Sequence, residues 1–289
     1  MKIMNLLSKE NLIIGGGQLL NGTRLNKGLL YILLLSILSN RLNKKPIVVG
    51  IGSESLTNGF HRFLCQRILS NCKSFACRDS YTYDMLNKLG LNISKTADLV
   101  FLREKKIEDS WRANKSNLKV GIAVHSDPRW KFTSSDALVE VVKRCLTSKN
   151  INEIYLIAHD NRSEYDKGAL FNIEAEVGKH EKLKLRTLES LSETYEMYEN
   201  LDFIISARMH PLIIGAISGA KPVAISESGK VKALFKNTKM LVENNINTPS
   251  LILDLIENWS TENQCELEAW LHQKQKDSMA NRVILNQAS

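Results

Sequence analysis

Short apolar runs alternate with amphipathic stretches almost from one end of the chain to the other. The runs Leu12–Ile14, Pro46–Gly50, Ser74–Cys77, Leu99–Leu102, Lys119–Val124, Glu153–Ala158, Leu183–Arg186, Phe203–Ser206 and Pro222–Ile225 predict strands, several of them bounded by Gly, Pro, Asn or Asp. Between them the spacing predicts helices. Ser135–Thr147 opens on a Ser-Asp cap signal and sets Leu138, Val141, Val142 and Cys145 on one face. Ser192–Asn200, Leu212–Ser218 and Val231–Lys236 read the same way. Thr261–Leu285 predicts a long, polar-rich helix with Leu267, Trp270 and Leu271 as its apolar stripe. Such strand–helix alternation implies an α/β protein with parallel sheets and helices on both faces.

The charged, aperiodic segment Arg103–Leu118 reads as a linker. The expected organisation is an N-terminal lobe over residues 1–114, a C-terminal lobe over 115–259 and a C-terminal helix over 260–289 that crosses back toward the first lobe. The strongest apolar run, Gly28–Leu38, is shorter than the roughly 20 apolar residues a bilayer span requires. Lys27 and Arg41 flank it closely, so it predicts a buried helix. Lys9, Glu10 and the glycines after them interrupt any signal-peptide pattern.

Composition narrows the class further. In 289 residues, 43% are hydrophobic and 24% charged, which suits a folded chain and excludes general disorder. Lys and Arg total 39 against 31 Asp and Glu, a formal charge of +8. That excess suits an anionic ligand, a nucleic acid or an acidic membrane face without choosing among them. The basic residues are scattered and not interleaved with aromatics, which argues against nucleic acid. The cysteines Cys65, Cys72, Cys77, Cys145 and Cys265 form no CxxC pair and no zinc spacing with histidine, so no metal is expected. A reduced, cytoplasmic compartment follows as the expectation.

In doubly wound sheets ligands bind beyond the carboxyl ends of the strands, so the residues there are the ones to examine. Gly15-Gly16-Gly17-Gln18 can bring backbone N–H groups close to an anion or a sugar, or can simply form a tight turn. Neither a Walker lysine-serine pair nor a GxGxxG is present. Arg78-Asp79 is either a ligand site or a local ion pair in which Asp79 caps the next helix. Arg208-Met209-His210-Pro211 is the densest chemical signal. A guanidinium fork, an imidazole and a helix N-terminus meet at one strand end. His159-Asp160, His125 with Arg129, and Lys230 follow other strands on the same side of the second lobe. His61, His180 and His272 sit in helical or charged surroundings and read as non-catalytic.

These motifs, in this order, resemble the polysaccharide pyruvyl transferase family. The matching pieces are Asn11 to Leu20, Pro46 to Gly52, Arg78 to Gly90, Ala97-Asp98, Leu156 to Asp160, Asp202 to Ile217 and Lys221-Pro222, spread over about residues 5 to 245. The resemblance implies two Rossmann-like, GT-B-like lobes. It also implies transfer of the pyruvyl unit of phosphoenolpyruvate to sugar hydroxyls, without a nicotinamide or flavin. The acceptor would be a polysaccharide or its lipid-linked precursor, in exopolysaccharide or cell-envelope synthesis.

The chain departs from the family pattern in four places. Family chains carry a further βαβ segment ahead of the glycine triplet, so the N-terminal lobe is expected to be incomplete. His125 stands where an arginine is usual, Ser53-Glu54 replaces Gly-Pro, and an aromatic residue before Lys230 is absent.

The expected division of labour gives donor binding to Arg208, with Arg129, His125, Arg78, Asp79, Lys230 and the Gly15–Gln18 loop as further contacts. His210 is expected to carry the proton, with His159 next. No cofactor is expected beyond phosphoenolpyruvate as donor substrate. The expected place of action is the cytoplasm, extending to the inner face of the membrane. The competing readings are a GT-B glycosyltransferase using a nucleotide sugar and an inactive assembly subunit. Against the first, there is no Asp-x-Asp and no Glu-x7-Glu around the last helices of the C-terminal lobe.

Overall fold

In a computed structural model of the chain, residues 10–17, 20, 27–53, 56, 58–103, 116–126 and 136–286 are described. Packing divides the chain into two compact units, residues 1–102 with 272–289, and residues 103–271. Most of the predicted linker, 104–115, lies outside the described residues.

The first unit holds β1 (Ile13–Gly15), α1 (Lys27–Arg41), β2 (Ile47–Ile51), α2 (Gly59–Ser70), β3 (Ser74–Cys77), α3 (Ser80–Asn87) and β4 (Ser94–Lys95). Its strands are parallel and follow in chain order, β1-β2-β3-β4. Right-handed crossovers in that order set the intervening helices on one face of the sheet. Accordingly Leu29 of α1, Leu64, Cys65 and Ile68 of α2 and Leu86 of α3 share one core with Val48, Ile51, Phe75 and Cys77. The opposite face, Ile47, Val49 and Ala76, is packed by Ile284 and Leu285 from the end of the last helix, α10 (Thr261–Asn286). Every residue of β2 is therefore buried, which explains its unbroken apolar run.

Two expectations change here. Leu99–Leu102 is a 3-10 turn, not a strand. Asp98 Oδ1 accepts from Val100 N at 3.1 Å and starts that turn, while the sheet is completed by two-residue β4. A four-residue apolar run carries no period long enough to separate the two cases. The helix over Gly28–Leu38 forms but is not buried all round. Leu29 is fully buried, whereas Leu30, Tyr31 and Leu34 are exposed.

The second unit holds β5 (Leu118–Ala123), α4 (Asp136–Thr147), β6 (Ile151–Ala158), α5 (Asp166–Val177), β7 (Leu183–Thr187), α6 (Leu191–Glu199), β8 (Phe203–Ser206), α7 (Met209–Ser218), β9 (Lys221–Ile225), α8 (Gly229–Leu234), β10 (Leu241–Val242) and α9 (Thr248–Glu257). The first part of α10, up to Leu271, also belongs to it. The strand order is β10-β9-β8-β5-β6-β7, all parallel. The chain starts at the centre, winds outward through β6 and β7, returns through α6 and winds outward the other way. Its core joins Val120, Ile122, Ile154, Leu156, Phe203, Ile205 and Val223 to Leu138, Val142, Leu212 and Ile252 from the helices. Trp259 meets Phe203 edge-on at 5.5 Å and Trp270 stacks on Phe235 at 4.8 Å. Cys65, Cys77 and Cys145 are buried, with burial pushing each thiol up to about 12.

Candidate functional site

Between β5 and β8 the winding reverses, so the loops leaving those strands part from each other and open a crevice. A cavity of about 340 Å³ lies in the second unit, lined by His125, Ser126, Asp160, Glu164, Tyr165, Asp166 and Arg208. His125 and Ser126 follow β5, Asp160 follows β6, and Arg208 follows β8. Each lining residue of this kind is thus delivered by a strand end.

Asp166, the first residue of α5, is the centre of the arrangement. Its carboxylate is buried, and Oδ2 accepts from Arg208 Nη1 at 2.7 Å. Oδ1 accepts from Ser126 N at 3.3 Å and Ser126 Oγ at 3.4 Å, and His125 Nδ1 lies 3.9 Å away. A buried carboxylate requires such partners, and an arginine fork is the strongest of them. Arg208 is also the N-cap residue of α7. Its backbone N–H donates to Ser206 Oγ at 2.9 Å, and its side chain keeps 35% of its surface open to solvent. Pro211 occupies the first turn of α7, where a missing N–H costs no helical bond.

Asp160 is neutralised locally. Arg162 donates to its carboxylate through Nε at 2.9 Å and Nη2 at 2.6 Å, holding the carboxyl down to about 2. His159, just before it, points its Nε2 at Tyr198 Oη, 2.8 Å away on α6, and Tyr198 is fully buried. Burial, with the Arg208 charge next in weight, lowers His159 to about 4; Asp166 opposes that shift and His210 adds to it. His159 is therefore neutral near pH 7. Burial also raises the Tyr198 hydroxyl, so its proton stays in place.

The remaining candidates are placed as follows. His210 lies in the first turn of α7, is exposed, and does not line the cavity. Lys230 is half-buried in the first turn of α8 and does not line it either. Arg129 and Gln18 lie outside the described residues. In the first unit, Gly16 and Gly17 have φ of +71° and +74°, which favours glycine, and the turn is tied to β2 and its loop by Gly16 N to Val49 O and Gly52 N to Gly17 O.

Arg78 is buried and donates from Nη1 to Asp98 Oδ2 at 2.7 Å, with Asp79 Oδ2 3.9 Å from its Nε. Its guanidinium lies so close over Gly52 that a Cβ there would sit 2.6 Å from Nε. Asp79 caps α3, Oδ1 accepting from Thr82 N at 2.7 Å. Of the two readings of Arg78-Asp79, the local ion pair with a helix cap describes these contacts. Among the described residues no group of three or more His, Cys, Asp or Glu side chains converges to hold a metal.

Reading the sequence alone missed Asp166 and Tyr198. An aspartate opening a helix looks like an ordinary first-turn carboxylate favoured by the helix dipole. Its burial depends on Arg208, 42 residues away in sequence. Tyr198 reads only as part of an amphipathic helix.

Two parallel α/β units, the second in Rossmann strand order with its cavity at the reversal point, give a Rossmann-like fold of the GT-B type. Solved structures agree on the fold. Anabaena Alr3699/HepE in complex with UDP-glucose superposes with a TM-score of 0.60 at 11% identity, covering 99% of this chain and 80% of that one. A glycosyltransferase from Rickettsia africae gives 0.60 at 13% identity, covering 99% and 78%. The UDP-GlcNAc 2-epimerase of Methanocaldococcus jannaschii gives 0.53 at 12%, covering 89% and 72%. No curated protein matches the chain by sequence. The family profile described as polysaccharide pyruvyl transferase matches residues 2–229. The chain belongs to that family.

Proposed function

We propose that the chain moves the pyruvyl unit of phosphoenolpyruvate onto two hydroxyls of one sugar, in a polysaccharide or its lipid-linked precursor. The observation that carries this reading is Arg208, placed at the N-terminus of α7 with part of its fork open to solvent on a cavity at the sheet's reversal point. The donor carries a carboxylate and a phosphate, and a guanidinium beside a helix N-terminus suits both.

The reaction adds a proton to the methylene carbon and leaves positive charge at C2. One sugar hydroxyl adds there and loses its proton. The C2–O bond to phosphate breaks, the electron pair leaving with inorganic phosphate. The second hydroxyl then adds and loses its proton, closing the ketal. His210, exposed in the first turn of α7 and outside the cavity lining, is assigned the first proton on its place two residues beyond Arg208, and His125, which does line the cavity, is the competing carrier. Asp166 takes the place expected of Asp79 as the carboxylate near the developing charge, because it lines the cavity and is held beside Arg208, whereas Asp79 does not line it. His159, neutral and bound to Tyr198, acts as a positioning residue for the Arg208 side of the site.

A nucleotide-sugar reaction is the second reading, favoured by the UDP-glucose in the Anabaena neighbour. One assay separates the two: phosphate release from phosphoenolpyruvate with sugar acceptors, and the mass of the acceptor product. Arg208→Lys keeps the charge but loses the fork, and should raise KM for phosphoenolpyruvate with little change in kcat. His210→Gln should lower kcat about a hundredfold with KM nearly unchanged. If His125→Gln does this instead, the proton carrier is His125. Turnover of UDP-glucose with no phosphate released from phosphoenolpyruvate would overturn the reading.

A further inference from the structure

We infer that the outer face of α1 and α2 docks on an anionic lipid surface. Three observations converge on it. The first is charge. Residues 1–102 and 272–289 carry 16 Lys and Arg against six Asp and Glu, net +10, while residues 103–271 carry 23 against 25, net −2. The whole positive excess of the chain therefore sits in the first unit.

The second is an apolar outer face on helices whose inner face is already apolar. A helix on the surface of a water-soluble domain normally turns polar side chains outward. Here Leu30, Tyr31 and Leu34 of α1 and Phe60 and Phe63 of α2 are exposed, the last two at 51% and 53%. They follow helical spacing, so each set forms one stripe. The third is what accompanies them. The exposed charges on these helices are Lys27, Arg41, Arg62 and Arg67, and neither helix contains an Asp or Glu.

The two stripes belong to one layer. Both helices bury their inner sides in the same core, and Asn71 Nδ2, at the end of α2, donates to Ser36 Oγ of α1 at 3.2 Å. Apolar and aromatic side chains that enter the headgroup boundary, with cations that stay in the aqueous layer, are the chemistry of an interfacial surface. A second copy fits poorly, because an isologous contact would set cations against cations with no carboxylate on either side. A nucleic-acid backbone would pair with the cations but leave Leu30 and Leu34 in water. The inference stands independently of the reaction proposed above.

The test is sedimentation of the full chain with vesicles of phosphatidylcholine alone and of an equimolar mixture with phosphatidylglycerol, at low and raised sodium chloride. Binding is expected to the anionic vesicles only, and to weaken with salt. Phe60→Ser with Phe63→Ser should reduce it at least about tenfold, since two aromatic side chains no longer leave water. Lys27→Gln, Arg41→Gln and Arg67→Gln should reduce it about fivefold per charge removed. All these side chains are exposed, so melting curves of both variants should match the parent. Should one variant fold poorly, the other carries the test. Failure to sediment with anionic vesicles, equal binding to phosphatidylcholine, or binding indifferent to both variants would overturn the inference. So would a dimer, seen by sedimentation velocity, that the Phe60→Ser/Phe63→Ser variant converts to monomer while vesicle binding is unchanged.

Discussion

Both units repeat the same strand–helix step, yet only one of them reverses direction along its sheet. The described strands of the first sheet follow in chain order, whereas the second sheet starts at its centre and winds out both ways. A reversal parts two neighbouring loops, and the cavity with Arg208 and Asp166 lies at that point. In the first unit the strand-end arginine, Arg78, is instead buried against Asp98 and fixes the 3-10 turn that follows. Two arginines that look alike in sequence thus differ by topology: one is locked in a core, the other opens on a cavity. The charge partition follows the same line, with the basic excess on the unit whose arginine is buried and a near-neutral unit around the cavity.

The largest expected effect tests the locked arginine. Arg78→Met leaves the Asp98 carboxylate buried without its cation, a loss of about 3–5 kcal/mol for breaking a buried pair. All four tryptophans lie in residues 103–271, so fluorescence reports on the second unit alone. Hydrogen exchange should show the loss in β2 and β3 while the tryptophan transition stays in place. An equal shift of both signals would mean that the units unfold as one, and the comparison would fail at the level of stability.

The next effect belongs to the second unit. His159 is held at about 4 in the folded protein, against an ordinary value of 6.5. Between those values the unfolded chain binds a proton that the native state does not. Stability from this group is therefore full above about pH 6.5 and falls as pH drops toward 4, by up to about 3 kcal/mol. Denaturant midpoints of the parent and His159→Gln, measured at neutral and at mildly acidic pH, should converge in their pH dependence by that amount less in the variant. A parallel pH dependence in both proteins would place the acid sensitivity elsewhere.

The smallest effect is local. Ser190 Oγ accepts from Glu193 N at 3.1 Å, and the Glu193 carboxylate accepts from Ser190 N at 3.2 Å, closing a capping box on α6. Ser190→Ala should cost about 1 kcal/mol. The tryptophan signal should register it, and hydrogen exchange in the first unit should not. Because α6 carries Tyr198, the same variant should also loosen the His159–Tyr198 contact, seen as faster exchange at the start of the loop after β6.

Local pattern was enough for much of this. Apolar runs bounded by turn residues placed β2, β3, β5, β6, β8 and β9 to within a residue or two. The Ser-Asp signal marked α4, and the Asp79 cap could be read from an aspartate ahead of a helix. The spacing of Arg208, His210 and the small-residue helix after them pointed to the family, since those features are consecutive in the chain. Such signals survive in sequence because their physics acts between near neighbours.

Contacts between distant residues decided the rest. Whether Leu99–Leu102 pairs as a strand depended on the side chain of Asp98, and whether Leu30, Tyr31 and Leu34 are covered depended on which side of α1 meets the sheet. Asp166 gains its role from Arg208 and Ser126, both about 40 residues away, and His159 loses its charge because Tyr198 and the surrounding core exclude water. The amino-acid sequence by itself determined the alternation of elements and the chemistry available at each strand end. Tertiary structure alone decided which of those ends face each other, because strand order and burial are set by packing energies summed over the whole sheet.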